Sequence, residues 1–399
     1  MSRSGRTRST ASPKATSCWR PSSTGPTRAD PDRPIGAKGR DSALRILFLD
    51  SWLRDRAAGS GSAVAIAGLA RGLERLGHSV DALRPSVSLP SLDLTRLAYN
   101  LGLRSRLEGA AGRYDLVVGF DIDGFALPRS IERPYVVALK GVAAEERQFE
   151  AGWQRIRFDL IRRAERRNAR KADRVYVTSE YAAEAARRAY GLDEDRLHVV
   201  PEALDEAVRE RAAAAGAPHL ERRGPFVLSV ARQYRRKDTP TLLRAFRRVL
   251  RDVPEARLRI VGDGPELPSS RRLAARLDLD GRVVFTGSLS TAEALDEEYR
   301  RARVFCLPSR QEGFGIVFLE AMAYGLPIAA VEAAAVPEVA PHGETSLLSA
   351  PGDAEALAVG LVRLLTDDAL ARRLGSGGPP RASRFTWPAS ARAFIDGLR

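Results

Sequence analysis

Two glutamates eight positions apart, Glu312 and Glu320, lie in the string Pro308-Ser-Arg-Gln-Glu312-Gly313-Phe314-Gly315-Ile316-Val-Phe-Leu-Glu320-Ala-Met-Ala-Tyr-Gly325-Leu-Pro327. Ionised carboxylates only accept hydrogen bonds, so such a pair suits a ligand rich in hydroxyl donors. The apolar run Val304–Leu307 predicts a buried strand, and the glycines after it predict a loop that carries Glu312. A helix is expected to start near Gly315–Ile316, with free amides able to hold an anion such as a diphosphate. Glu320, about a turn into that helix, is placed for ribose hydroxyls, and Glu312 for a sugar. The competing reading makes both glutamates helix-surface charges and the glycines mere turn-formers. Upstream, Arg232 and Lys237 follow the strand-like run Phe226–Val230. Read alone, they belong either to a site for an anion or to a solvated basic loop with Arg235 and Arg236.

The full string resembles the E-x7-E signature of family 4 glycosyltransferases, including its E-G-F-G turn and its E-A-M-A-x-G-x-P continuation. Ser229-Val-Ala-Arg232-Gln-Tyr-Arg-Arg-Lys237 resembles the family's strand-end arginine, with a lysine five residues later. The likeness spans about residues 44–399, is sharper after 222, and includes Phe385-Thr386-Trp387, similar to the family's final crossing helix. It implies an α/β GT-B fold, two Rossmann-like doubly wound parallel-sheet domains facing a cleft. It also implies a retaining hexosyltransferase that moves a hexose-like sugar from a UDP-, GDP- or ADP-sugar to a hydroxyl on a sugar, lipid-linked or small-molecule acceptor. Attack would come from the front face, the departing phosphate taking the acceptor's proton. By resemblance, Arg232 and Lys237 clamp the phosphates and offset charge on the leaving group. Gly287, in Val284-Phe285-Thr286-Gly287, falls near the base, and Gly59 and Gly61 approach the phosphates from the opposite domain. Phe314, Gly315, Ile316 and Glu320 complete the expected donor contacts, and Glu312 and Lys140 lie beside the reacting sugar. The implied chemistry requires no metal or other cofactor.

Several positions depart from the family pattern. Ala333-Ala-Ala-Val-Pro337-Glu338 stands where the family often has Gly-Gly before P-E-V, which bears on sugar identity because alanine limits backbone approach. Lys140, in Tyr135-Val-Val-Ala-Leu139-Lys140-Gly141, stands where a histidine is common. It reads either as a cation for a sugar hydroxyl or leaving phosphate, or as a solvent-facing strand-end lysine. Asp121-Ile-Asp123 has the spacing of the metal-holding D-x-D of GT-A enzymes. With Arg232 and Lys237 supplying positive charge, a helix-capping or acceptor-binding role is favoured over a metal site. The Gly59-Ser-Gly61 turn fails the dinucleotide fingerprint, because Val64 occupies the third glycine position. These departures motivate one alternative, a catalytically inactive nucleotide-sugar-binding subunit.

The elements that must position these residues are legible in outline. At 399 residues the chain suits two α/β domains. Strands are expected at Leu44–Leu49, Val80–Leu83, Leu116–Gly119, Tyr135–Leu139, Val175–Val177 and Leu197–Val200. A helix over Ile66–Leu76 stopped by Gly77 and another over 152–171 complete a first alternating series. A second series has strands at Phe226–Val230, Leu258–Val261, Val283–Phe285, Val304–Leu307 and Ile328–Val331, with a helix from Thr239-Pro240. The resulting division is a basic tail at 1–43, an N-terminal domain at 44–207, a linker or short helix plus linker at 206–222, a donor domain at 222–384 and a crossing helix at 385–399.

Lysine and arginine outnumber aspartate and glutamate by 64 to 50, which favours anionic partners. Nine basic and three acidic residues fall within 1–43, so the tail alone holds +6 of the net +14. No nucleic-acid module accompanies the charge, and none is expected as a partner. The tail is rich in Ser, Thr, Pro, Gly and Arg and is expected to be disordered. It lacks a secretory h-region, shows no amphipathic transit helix, and is equally accounted for by an upstream start codon. Cys18 and Cys306 suit a reducing compartment, and four dispersed histidines give no zinc spacing. A cytoplasmic location, with peripheral attachment at the inner membrane face as the alternative, is expected from these signs and the absence of a ~20-residue apolar run. Residues 151–174 set Trp153, Ile156, Leu160 and Ile161 amid Arg155, Arg157, Arg162, Arg163, Arg166, Arg167, Arg170 and Lys171. They either pack a thin apolar stripe on the N-terminal sheet, the favoured reading, or rest weakly on anionic lipid.

Overall fold

A computed structural model describes residues 42–52, 61–108, 111–128, 134–216 and 223–398; residues 1–41 of the tail and Gly59 lie outside them. Among the described residues, strands form two six-stranded parallel sheets. The first comprises β1 (Arg45–Leu49), β2 (Ser79–Leu83), β3 (Leu116–Phe120), β4 (Tyr135–Ala138), β5 (Arg174–Val177) and β6 (Leu197–Val199), in the order β2-β1-β3-β4-β5-β6. The second comprises β7 (Phe226–Val230), β8 (Arg257–Val261), β9 (Val283–Gly287), β10 (Val304–Leu307), β11 (Ile328–Val331) and β12 (Ser346–Ser349), in the order β12-β11-β10-β7-β8-β9. Central strands such as β3 and β4 are buried throughout, which is why they read as unbroken apolar runs. In each sheet the chain order reverses beside the first strand, which opens a crevice at the strand C-termini.

The helices are α1 (Gly61–Arg75), α2 (Leu92–Glu108), α3 (Ala143–Glu146), α4 (Gly152–Lys171), α5 (Glu180–Tyr190), α6 (Glu206–Ala214), α7 (Thr239–Asp252), α8 (Leu267–Arg276), α9 (Ala292–Arg301), α10 (Ile316–Ala323), α11 (Val336–Val339), α12 (Ala354–Thr366), α13 (Asp368–Ala382) and α14 (Trp387–Asp396). One face of the first sheet is covered by α2, α4 and α5, the other by α1 and α14. On α14, Trp387, Ala391 and Phe394 share a core with Phe48 and Phe120, so the last helix crosses back onto the first sheet. Glycines on α1 permit that approach, since a Cβ on Gly72 would lie 2.4 Å from the Trp387 carbonyl oxygen. The segment after β6 is no passive linker. Leu204, just ahead of α6, and Ala212 on α6 pack in the second sheet's core, while Asp205 meets Arg71 of α1 at 3.1 Å. Around the second sheet, α7 turns Leu242, Leu243, Phe246 and Val249 inward, and Pro240 occupies its first turn.

The favoured reading of residues 151–174 is corrected here. Helix α4 leaves Trp153 (72%), Ile156 and Leu160 exposed and only half-buries Ile161, and its buried residues are Glu165, Asn168 and Ala169. The reason lies in the polar partners of its C-terminal half, where the Asn168 amide donates to the carbonyls of Asp121 (2.8 Å) and Asp123 (3.0 Å). Satisfying those buried carbonyls fixes the rotation of the helix and turns the apolar stripe outward. No described helix is long and apolar enough to cross a membrane.

Candidate functional site

The residues after β7 and β10 meet. Beyond β7 the chain passes Arg232, makes a single 3-10 turn at Arg235–Lys237, and enters α7 through Asp238 at φ 50°. The loop after β10 bonds to this turn, with the Arg310 amide donating to the Arg236 carbonyl at 2.7 Å. Lys237 thereby reaches Glu312, its Nζ 2.5 Å from Oε1, both side chains about nine-tenths buried. Burial pulls the Lys237 pKa down, and the neighbouring Glu312 charge opposes that shift. Arg232 is half-buried beside Tyr234, its guanidinium 5.6 Å from the ring centroid.

Gly315 caps α10 at φ 96°, a left-handed conformation, and a Cβ there would stand 2.7 Å from the Phe318 ring. The helix it starts carries Glu320, which accepts from the Tyr299 hydroxyl at 2.8 Å. Burial pushes the Glu320 carboxyl up to about 7, even though the Tyr299 bond favours the anion. The Phe314 ring packs edge-on against Phe385, centroids 5.5 Å apart, which leaves its backbone for any ligand contact. Ile316 is half-buried and touches the cores of both sheets. Gly287 ends β9 at φ 69°, and its carbonyl accepts from the Gly262 amide at 2.8 Å. Gly262 has an architectural role, because a Cβ there would fall 2.0 Å from the Ala231 carbonyl oxygen. At the departure from Gly-Gly, Ala334 still adopts the left-handed backbone at φ 51°.

The first half closes over the Glu312 loop. Thr178 and Ser179 donate from their hydroxyls to the Gly313 carbonyl at 2.8 and 2.7 Å. Glu338, on α11, accepts from the amides of Glu180 (2.9 Å) and Tyr181 (2.8 Å) at the N-terminus of α5. A carboxylate there satisfies two orphan donors and sits at the positive end of the helix. Gly313 is tightly placed too, since a Cβ would meet the Lys140 carbonyl at 3.1 Å. Lys140 itself is not solvent-facing: its Nζ pairs with Glu202 at 2.9 Å, and both side chains are buried. Two buried lysine–glutamate pairs, one from each half, thus flank the contact through Gly313. Gly61 is the first residue of α1.

Asp121 and Asp123 cap no helix and form a buried hub. Asp121, at φ 53°, accepts from the Lys140 amide (2.7 Å) and the Trp52 indole (3.1 Å). Asp123 accepts from the Ser51 amide (2.8 Å), the Ser51 hydroxyl (2.6 Å) and Asn100 (3.2 Å). Burial pushes Asp121 up to about 6 and raises Asp123 as well, while Arg96 opposes both shifts. Among the described residues no three His, Cys, Asp or Glu side chains cluster to hold a metal.

The family model for glycosyl transferases group 1 matches residues 215–380, and that for glycosyltransferase family 4 matches residues 59–208. The GDP-mannose-dependent alpha-(1-6)-phosphatidylinositol monomannoside mannosyltransferase of Mycolicibacterium smegmatis is 31% identical over 288 residues, covering 69% of this chain and 74% of that protein. An exopolysaccharide phosphotransferase of Streptomyces coelicolor is 33% identical over 215 residues, which is 53% of this chain but only 22% of that protein's length. Among solved structures, a sucrose-phosphate synthase from Thermosynechococcus elongatus superposes with a TM-score of 0.71 at 24% identity, covering 88% of this chain and 97% of that one. Anabaena HepE in complex with UDP and glucose gives a TM-score of 0.67 at 19% identity, covering 89% and 99%.

Proposed function

The chain belongs to the glycosyl transferases group 1 family and has the GT-B fold, and from that premise we propose that it transfers a hexose-like sugar from a nucleotide-sugar to a hydroxyl acceptor with retention of anomeric configuration. The observation that carries this reading is the pairing of Lys237 with Glu312 just ahead of the start of α10, on the loops that follow adjacent strands β7 and β10, with Arg232 two residues beyond the end of β7. In this reading the diphosphate lies at the N-terminus of α10, between Arg232 and Lys237, and its arrival releases Lys237 from Glu312. Glu312 then accepts hydrogen bonds from the sugar, Glu320 from the ribose, and Gly287 borders the base. Gly59 and Gly61 face the phosphates from the first half, and Lys140 supplies a second cation beside the sugar. Residues 44–207 form the acceptor domain, 222–384 the donor domain, and 385–399 the crossing segment.

A lipid-linked acceptor at an anionic membrane surface is the partner this reading favours, on the strength of the exposed Trp153, Ile156 and Leu160 among arginines. The test is a donor-by-acceptor screen with UDP-, GDP- and ADP-sugars, products identified by mass spectrometry. Donor binding without any turnover would instead favour the inactive-subunit reading. Because Arg232 and Lys237 supply the charge that offsets the leaving group, EDTA is expected to leave turnover unchanged. Activity lost to EDTA and restored by manganese would reassign the charge to a metal.

Glu320 gives a pH signature. In the empty protein it is protonated below about 7 and ionised above, so affinity for the matching nucleoside diphosphate is expected to rise as pH increases through that value. Titration calorimetry across the range checks this, and Glu320→Gln should flatten the rise. The sign for stability is opposite: a carboxyl whose folded pKa is raised contributes stability below its unfolded value that is lost as pH rises through about 7.

A further inference from the structure

The exposed apolar side chains of the first half are organised. On α2, Leu94, Leu97, Leu101 and then Arg104, which pairs with Glu108 at 2.9 Å, follow at i, i+3, i+7 and i+10, all exposed. On α4, Trp153, Ile156, Leu160 and Arg163 repeat the spacing, with Arg167 at i+14, again all exposed. The inner faces of both helices share one core, where Tyr99, Leu103 and Leu107 of α2 join Ala169 of α4. The Arg157 guanidinium ties α4 to Asp93 in the first turn of α2, its Nη2 donating at 2.8 Å. The two outward stripes therefore lie in one layer on the same side of the first sheet. Single exposed apolar residues are ordinary, whereas two neighbouring helices with matched apolar-then-cationic stripes form a patch that marks an interaction site. Beyond the apolar turns, Arg163, Arg166, Arg167 and Arg170 line a shallow depression with Leu127 and Pro128.

We propose that α2 and α4 form a two-helix platform that seats the protein on an anionic lipid bilayer, the leucines and Trp153 entering the interface and the arginines of α4 meeting phosphate headgroups. The proposal rests on the lipid-presented acceptor of the preceding reading and names the surface that would bring the protein to it. Charge complementarity selects the occupant: the stripes end in arginine, which suits lipid phosphates. A second copy of the chain, packed isologously, would offer only this same arginine-rich face in return, with no matching set of carboxylates for the arginines of α4.

The test uses the full chain and vesicles of phosphatidylcholine with or without phosphatidylglycerol, some carrying brominated acyl chains. The basic tail binds anionic vesicles by itself, so the readout is the part of tryptophan quenching that Trp153→Phe removes. That quenching is expected with anionic vesicles, is expected to weaken with salt, and should disappear in Leu97→Glu/Leu101→Glu although Trp153 is intact. Arg163→Gln/Arg167→Gln is expected to lower partitioning roughly 25-fold, about 5-fold per cation. Melting temperature and nucleoside-diphosphate binding, unchanged in these surface variants, exclude unfolding. Quenching that persists in the leucine variant, equal quenching on neutral vesicles, or a dimer in solution that the leucine variant dissolves would each overturn the proposal. Transfer to a water-soluble acceptor separates the two readings: its persistence in variants that no longer dock leaves the transferase reading intact, and its absence in the unaltered protein defeats that reading alone.

Discussion

Lys237→Ala is expected to lower kcat by about 10²–10³, the usual cost of removing one preorganised donor from developing negative charge. It should do so with a smaller change in KM, because the charge it opposes grows only as the nucleoside diphosphate departs. The substitution also strands Glu312, whose partner at 2.5 Å is gone and whose side chain is about nine-tenths buried. Breaking a buried pair in this way costs about 3–5 kcal/mol of stability. The two effects separate in the double variant Lys237→Ala/Glu312→Ala. Urea unfolding should show much of the stability restored, while turnover stays low. Full recovery of turnover in the double variant would mean that Lys237 only neutralises Glu312 and takes no part in the reaction.

Lys140→Met is expected to have the second largest effect, and through the same physics. Lys140 and Glu202 are both buried, and the second Glu202 oxygen has no hydrogen-bond partner among the described residues. Removing the ammonium leaves a carboxylate with nothing to compensate its desolvation, so about 3–5 kcal/mol of stability should be lost. Lys140→Met/Glu202→Leu replaces the pair with apolar side chains and should recover most of it. If Lys140 acts on the sugar or the leaving phosphate, both variants remain slow, by a factor of about 10 or more for one lost charged hydrogen bond. A double variant with normal steady-state rates would confine the pair to a structural role.

The parts of this molecule that the sequence discloses are those in which a pattern repeats. Fully buried strands such as β3 and β10 appear as short apolar runs because both of their faces are covered. The edge strand β12, Ser346-Leu-Leu-Ser349, is not legible in the sequence because two leucines between serines give no alternation. The donor-side string around Glu312 and Glu320 is legible because its glycines have local steric causes, as the left-handed φ of Gly315 shows. Contacts across the cleft have no such trace. Thr178, Ser179 and Glu338 occupy ordinary surroundings in the sequence, and only the folded chain brings them to Gly313 and the start of α5. Glu202 belongs with them, since its partner lies 62 residues earlier and no periodic signal links the two. The rotation of α4 is hidden for a related reason. Its apolar residues suggest an inward stripe, whereas the buried carbonyls of Asp121 and Asp123, satisfied by Asn168, decide which face turns in.

The central claim is that this chain transfers a sugar from a nucleotide-sugar with retention, using Arg232 and Lys237 to hold the leaving diphosphate. It is tested most directly by following one turnover product by proton NMR with the donor identified in the screen. The account predicts release of nucleoside diphosphate matched by a glycoside of the donor's own anomeric configuration, with both signals nearly abolished in Arg232→Ala. A product of inverted configuration, or an Arg232→Ala protein that turns over at the normal rate, would contradict it.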